Sequence, residues 1–211
     1  MDDRREILDK YGFVVIPKLF SKAMADELRQ ALENTESTNM YEEGGDGFVR
    51  NCLAYPSHPN LLEMLCYALR DMVDTLREPL LPTFAYGRIH KRGAFLPKHK
   101  DREACEVSIT AHLGGDKDWP IWVKDKMGGH NPISLSKGDG MVYYGVECEH
   151  WREPYDGEYY CQAFFHYVKS RGKYFDHYFD LPMNIGSAIG GGGGKFYTDL
   201  IQNKESEDGK D

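Results

Sequence analysis

Phe95-Leu96-Pro97-Lys98-His99-Lys100-Asp101 is the stretch on which the reading of this chain turns. In extended backbone, residues two apart point to the same side, so the His99 imidazole and the Asp101 carboxylate converge on one point. A neutral nitrogen beside a carboxylate oxygen suits a borderline divalent metal such as Fe(II), Mn(II) or Zn(II). A solvated turn after Pro97 is the plain alternative for so short a motif. The sequence on either side has to decide between them.

Downstream the hydrophobic period is two. Residues 106–113, 120–123, 141–144 and 159–168 read as strands parted by Gly, Asp, Asn and Pro clusters, as do 84–89 upstream. Gly138-Asp139-Gly140 reads as a turn before the buried strand Met141-Val142-Tyr143-Tyr144, and His150 follows an acidic connection with Glu147 and Glu149. Nearer the start, 12–17 is a short β-branched strand bounded by Gly and Pro. Ser21 caps a helix running to Glu33, with Met24, Leu28, Ala31 and Leu32 at helical spacing. Residues 36–47 have no period and read as a polar loop. A second helix over 60–77 carries the stripe Leu61, Leu62, Leu65, Leu69, Met72, Val73 and Leu76. Two helices followed by short strands predict an α+β domain on a β-sandwich or barrel core. A single domain is expected over 1–184, with the Gly-rich and then charged stretch 185–211 as a flexible tail.

The 211 residues hold 26 Lys+Arg against 34 Asp+Glu, a net charge of −8. That excess disfavours a nucleic-acid partner, whose phosphates need a broad basic surface. No apolar run approaches the ~20 residues of a membrane helix, and the charged opening residues lack a secretory signal's apolar core. Five cysteines without a CxxC pair give neither a disulfide framework nor a zinc ribbon. The expectation is a cytoplasmic protein of a reducing compartment, with no membrane partner and with its oligomeric state open.

His99, Asp101 and His150 together would leave adjacent positions vacant on a metal, as O2 activation requires. His150 alone fits equally a core histidine bonded to a backbone carbonyl. At this point the chain resembles the 2-oxoglutarate and Fe(II)-dependent oxygenases, in their prolyl-hydroxylase-like and phytanoyl-hydroxylase-like branches. The segments that carry the resemblance are Tyr11-Gly12-Phe13-Val14-Val15-Ile16-Pro17 with the helix behind it; 88–101 ending in His-x-Asp; Leu135-Ser136-Lys137-Gly138-Asp139; and His150 with the strand after it. The resemblance implies a double-stranded β-helix (jelly roll) with N-terminal helices packed on one sheet. It implies Fe(II) on His99, Asp101 and His150, 2-oxoglutarate as co-substrate, O2 as oxidant, and ascorbate as an auxiliary reductant. A carboxylate at Asp101, where halogenating relatives have a small residue, favours hydroxylation with release of succinate and CO2.

The chain departs from the family at the base that holds the co-substrate's far carboxylate. The last strand has Tyr159-Tyr160-Cys161-Gln162 in its place. Arg152 is the substitute: a hairpin turn near Asp156-Gly157 would set it across from Tyr160, and it shares parity with His150. A surface ion pair with Glu153 or Glu158 is its plain alternative. Arg88 and Tyr86, on one side of the first barrel strand, are the next candidates for cofactor binding. Ser108, Thr110 and His90 are weaker ones. Arg102 is a candidate substrate contact, or a surface ion pair with Glu103 or Glu106. Trp119 and Trp122 read as packing, Trp151 as facing away from the cavity, and residues 116–131 as a long connection able to close over a substrate.

Two functions are carried forward. One is an oxygenase hydroxylating a peptidyl proline, a free amino acid or a small carboxylate, so that its partner is a peptide or a small molecule. The other is a non-catalytic, lectin-like jelly roll binding a glycan or small ligand.

Overall fold

The computed structural model describes residues 3–37, 45, 46 and 48–179. Its first helix, α1 (Arg4–Tyr11), starts where the Asp3 carboxylate accepts the Arg5 N–H and stops at Gly12, whose φ of 85° closes the helix in the left-handed region. Strand β1 (Phe13–Ile16) follows. Helix α2 (Lys22–Glu33) is capped by Ser21, which accepts the Met24 N–H, as its sequence predicts. After β2 (Cys52–Pro56), α3 (Pro59–Leu76) buries Leu61, Leu65, Ala68, Met72 and Leu76, whereas Leu62 of the predicted stripe is solvent-exposed.

From here the chain alternates between two sheets. The strands are β3 (Leu80–Lys91), β4 (Leu96–His99), β5 (Val107–Gly115), β6 (Ile121–Lys124), β7 (His130–Ile133), β8 (Gly140–Tyr143), β9 (His150–Arg152) and β10 (Tyr159–Lys169). One sheet has the order β1-β8-β5-β10-β3-β2 and the other β4-β9-β6-β7. This is the expected double-stranded β-helix, and the helices cover the outer face of the larger sheet. Cys161, Ala163, Phe165 and Tyr167 of β10 and Ala85 and Ile89 of β3 share one core with α2 and α3. The Tyr167 hydroxyl donates to the Leu65 carbonyl at 2.7 Å. Gly87 lets the helices sit this close, because a Cβ there would meet Leu32 and Leu61 methyls at 3.0 and 3.1 Å. Strand alternation then sends Phe84, Tyr86, Arg88 and His90 of β3, and Tyr160, Gln162, Phe164 and His166 of β10, to the inside of the barrel.

Two expectations need correction. Residues 116–131 are not an open connection: the strand read at 120–123 is β6, and it pairs with the unforeseen β7 as a hairpin. The turn is built on Asp125, whose Oδ1 accepts the Met127 and Gly129 N–H groups while Oδ2 accepts the Asn131 amide. Polar β7, with Pro132 on a sheet edge, hides its strand character. There is also no hairpin between β9 and β10, which lie in different sheets. Residues 153–158 cross from one sheet to the other, tied down by Asp116, which accepts from the Tyr155 hydroxyl and from the Glu158 and Tyr159 amides. The tail expected over 185–211 lies outside the described residues. No described helix is long and apolar enough to cross a membrane.

Leu61→Ala removes a fully buried side chain from the helix–sheet contact. It should cost about 2–5 kcal/mol in urea denaturation while leaving the metal affinity of the folded protein unchanged.

Candidate metal centre

The register of two short strands builds the site. His99 closes β4, His150 opens β9, and the two are direct partners across the pair. Their ring centroids lie 4.1 Å apart. Asp101 is held two residues beyond the strand by its own N–H, which donates to the Gly145 carbonyl at 2.9 Å. Asp101 Oδ1 lies 3.3 Å from His99 Nε2 and 3.5 Å from His150 Nε2. The three donor atoms all fall within 4.8 Å of one another.

Both rings are oriented by backbone. His99 Nδ1 faces the Pro97 carbonyl at 2.8 Å and His150 Nδ1 faces the Cys148 carbonyl at 3.0 Å. A carbonyl only accepts, so each Nδ1 carries the proton and each Nε2 turns a lone pair inward. The far oxygen of Asp101, Oδ2, accepts from the Ser108 hydroxyl at 3.3 Å, and that hydroxyl oxygen is 2.8 Å from His166 Nδ1. Gly145 is required where it stands, since a Cβ would come within 2.5 Å of Asp101 Oδ2.

Electrostatics agree with a cation between these groups. Burial raises the Asp101 carboxyl, but His150, the hydrogen bond with His99 and the charges of His166 and His99 outweigh it, so its pKa falls well below the usual range. Burial holds His150 below its ordinary value, against the opposing pull of Asp101. One anionic oxygen and two neutral nitrogens on one side of a point form the donor set of a facially bound divalent metal. Asp101, Cys105 and His166 also cluster. That grouping shares Asp101, however, and its His166 Nδ1 is engaged by Ser108.

A cavity of about 330 Å³ opens beside the triad, lined by aromatic side chains together with Asp46, Arg88, Lys100, Arg102 and His166. The expected cofactor residues divide into two places. Arg88 Nε and Nη2 both contact Asp46 Oδ2 at 2.6 Å, and the Tyr86 hydroxyl donates to the same oxygen at 2.8 Å. Arg102 lies over the Phe84 ring, 4.7 Å from its centroid.

Arg152 points instead into the barrel, on the side of β9 that carries His150, and is 2% exposed. Its guanidinium lies over the Trp119 ring at 4.7 Å and the Tyr160 ring at 5.0 Å, two rings in edge contact with each other, and donates from Nη1 to the Trp119 carbonyl. Arg152 Nε and Nη2, both His90 ring nitrogens, His112 Nδ1 and the Tyr160 hydroxyl are buried without a hydrogen bond of accepted geometry. So many unbonded polar atoms on one inner wall of the barrel mark a place suited to a polar group. The proximity of Arg152 to Tyr160 is as expected, although it arises from the crossing between sheets. Thr110 accepts from Gln162 in this wall. Trp151 stacks on Trp122, outside the site.

Sequence reasoning overlooked Asp46, Tyr143, Gly145 and His166. Asp46 sits in a polar loop with no period. His166 is readable only from its two-residue spacing to Phe164 and Gln162.

No family model matches the chain, and no curated protein matches it in sequence. Solved structures do match in shape. HygX from Streptomyces hygroscopicus, in a crystal structure with nickel, 2-oxoglutarate and hygromycin B bound, aligns with a TM-score of 0.67 at 15% identity over 81% of this chain and 88% of that one. SnoN, described as a non-heme alpha-ketoglutarate-dependent epimerase from nogalamycin biosynthesis, gives 0.64 at 12% identity over 77% and 80%. A Pseudomonas putida prolyl-4-hydroxylase gives 0.61 at 17% identity over 78% and 96%. The fold is therefore the double-stranded β-helix of the 2-oxoglutarate/iron oxygenases.

Burial lowers His112 and His166 to about 4 and His90 well below 6.5. The unfolded chain therefore binds more protons than the folded one between roughly pH 4 and 6.5. Stability of the metal-free protein should rise across that window and level off above it. Asp101, with its depressed pKa, adds stability that is lost only below about pH 4. Urea midpoints at pH 5, 6 and 7.5 check this; a flat profile would show that these imidazoles are not buried neutral.

Proposed function

We propose that this chain is an Fe(II)- and 2-oxoglutarate-dependent oxygenase. His99 Nε2, His150 Nε2 and one Asp101 oxygen would hold the metal, and Arg152 would take the far carboxylate of 2-oxoglutarate. The observation that carries the reading is the pairing of an inward-facing donor triad with a buried, half-unsatisfied arginine two residues along the same strand. Bound together, the ferrous ion and 2-oxoglutarate supply O2 activation coupled to decarboxylation, giving succinate, CO2 and an oxidised substrate.

This chain's own residues supply the rest. The Pro97 and Cys148 carbonyls keep both imidazoles in the ligating tautomer. Ser108 steadies the Asp101 oxygen that faces away from the imidazoles. Arg152 brings the Nε and Nη2 edge of its guanidinium, matched to a carboxylate and already desolvated, so little reorganisation is needed on binding. The Tyr160 hydroxyl and His90 stand by as further hydrogen-bond partners. Phe48 edge-on to His99 at 4.7 Å and Tyr143 against His150 at 4.8 Å limit water around the ligands. Hydroxylation is the outcome we assign, with Asp101 retained as a ligand.

With Fe(II) and 2-oxoglutarate the protein should release succinate slowly even without its substrate, and His99→Ala should release none. Arg152→Met should raise the half-saturating 2-oxoglutarate concentration about 30- to 150-fold, the equivalent of ~2–3 kcal/mol for a charge-assisted contact, with Mn(II) binding retained. Succinate formation by the His99 variant would overturn the metal assignment. Glycan binding by a wild type that makes no succinate would favour the lectin-like jelly roll.

A further inference from the structure

Asp101 turns Oδ1 toward His99 and His150, while its second oxygen, Oδ2, lies against a wall built by two strands of the larger sheet. Ser108 of β5 and His166 of β10 are direct partners across that sheet, and alternation sends both side chains inward. Both residues are buried. Ser108 Oγ stands 3.3 Å from Asp101 Oδ2, 3.2 Å from the Cys105 carbonyl oxygen and 2.8 Å from His166 Nδ1. The imidazole is itself fixed. Opposite it the pairing of β10 with β3 slips by one residue, between the Phe165–Ala85 and Tyr167–Pro82 pairs. Phe84, within that slip, lies against the His166 ring with centroids 4.3 Å apart. Irregularities of this kind re-aim side chains beside functional sites.

A serine hydroxyl has one proton to donate, and all three of these neighbours can accept it. The Asp101 carboxylate is the charged one, and a buried charge left short of a donor costs more than a neutral nitrogen left short. Ser108 therefore donates to Asp101 Oδ2. Its own oxygen is then the acceptor for His166, whose Nδ1 must carry the proton. Burial lowers His166 to about 4, so the ring is neutral near pH 7 and has a single N–H to place. The chain of donors runs from His166 Nδ1–H to Ser108 Oγ–H to Asp101 Oδ2.

Resting on the oxygenase reading, we propose that His166 is a positioning residue, which acts through Ser108 to hold the Asp101 carboxylate with Oδ1 presented to the metal. Hydrogen bonds behind a ligating carboxylate set its orientation, and their loss lowers metal affinity about 10- to 100-fold. The arrangement joins the two sheets at one point. The smaller sheet supplies the imidazoles through β4 and β9, and the larger one fixes the carboxylate through β5 and β10.

Two replacements separate the relay from ring packing. His166→Asn keeps an N–H near the place of Nδ1 and loses the ring, whereas His166→Phe keeps a ring against Phe84 and loses the N–H. Mn(II) affinity is read by EPR titration. His166→Phe should bind the ion about tenfold or more weakly, and His166→Asn nearly as tightly as wild type. The reverse order, expected of a residue that only packs, would overturn the proposal. Ser108→Ala should match His166→Phe, and the two combined should lose no more than either, since each breaks the same chain. Additive losses would show two unrelated contacts and end it. The proton itself is read on metal-free wild type, where nitrogen–proton correlation NMR should place it on His166 Nδ1. A proton on Nε2 reverses the chain and sinks the assignment without any variant having to fold. Failure of the oxygenase reading looks different. Wild type would then bind no Mn(II) and make no succinate, whereas a failed relay leaves both intact and changes only the variant order or the proton's place.

Discussion

Everything in the site depends on the antiparallel pairing of β4 with β9, two strands so short that they meet at His99 and His150 and at Leu96 and Arg152. Neither strand could persist alone; both are held because the four-stranded sheet closes over the larger one. The pairing puts two imidazoles face to face within the reach of one ion. The backbone at Pro97 and Cys148 then dictates which nitrogen each ring offers. The orientation of the two imidazoles follows from main-chain hydrogen bonds, which a side-chain substitution elsewhere cannot easily disturb.

Such a centre is costly to fold. Two imidazoles, the Arg152 guanidinium and a tyrosine hydroxyl are taken out of water with incomplete compensation. The offset lies on the other face of the same strands, where the helices bury Leu, Ile, Phe and Met side chains against the outer surface of the sheet. The barrel thus divides its labour by face. The outer side of β3 and β10 supplies stability, and the inner side holds groups whose satisfaction awaits a ligand.

Much of this was legible in the primary structure. Strong period-two runs located β3, β5, β8 and β10, and the Ser21 cap and leucine stripe located α2 and α3. The His-x-Asp motif and the later histidine converge as read. The placement of Arg152 on the His150 side of β9 was readable from parity, which holds in any strand, although the hairpin used to argue its proximity to Tyr160 does not exist. Parity survived because it is local; the hairpin failed because Asp-Gly also suits a crossing between sheets when an acid such as Asp116 captures the turn. The three-residue β9 and polar β7 were invisible, being too short or too hydrophilic to show a period. Asp46 was invisible for a different reason. Its importance comes entirely from Arg88, 42 positions away, and no local pattern encodes that.

The alternation along β10 has an evolutionary reach. Even-numbered positions from 160 to 166 face the chamber and odd-numbered ones from 161 to 167 face the helices, so a point change at an even site can redraw what the pocket accepts while the scaffold's cohesion is untouched. Insertion or loss of one residue would exchange the two sets at a stroke, presenting aliphatic groups to the barrel interior and imidazole to the leucines. Along this strand, divergence by replacement is open, and divergence by change of length is closed.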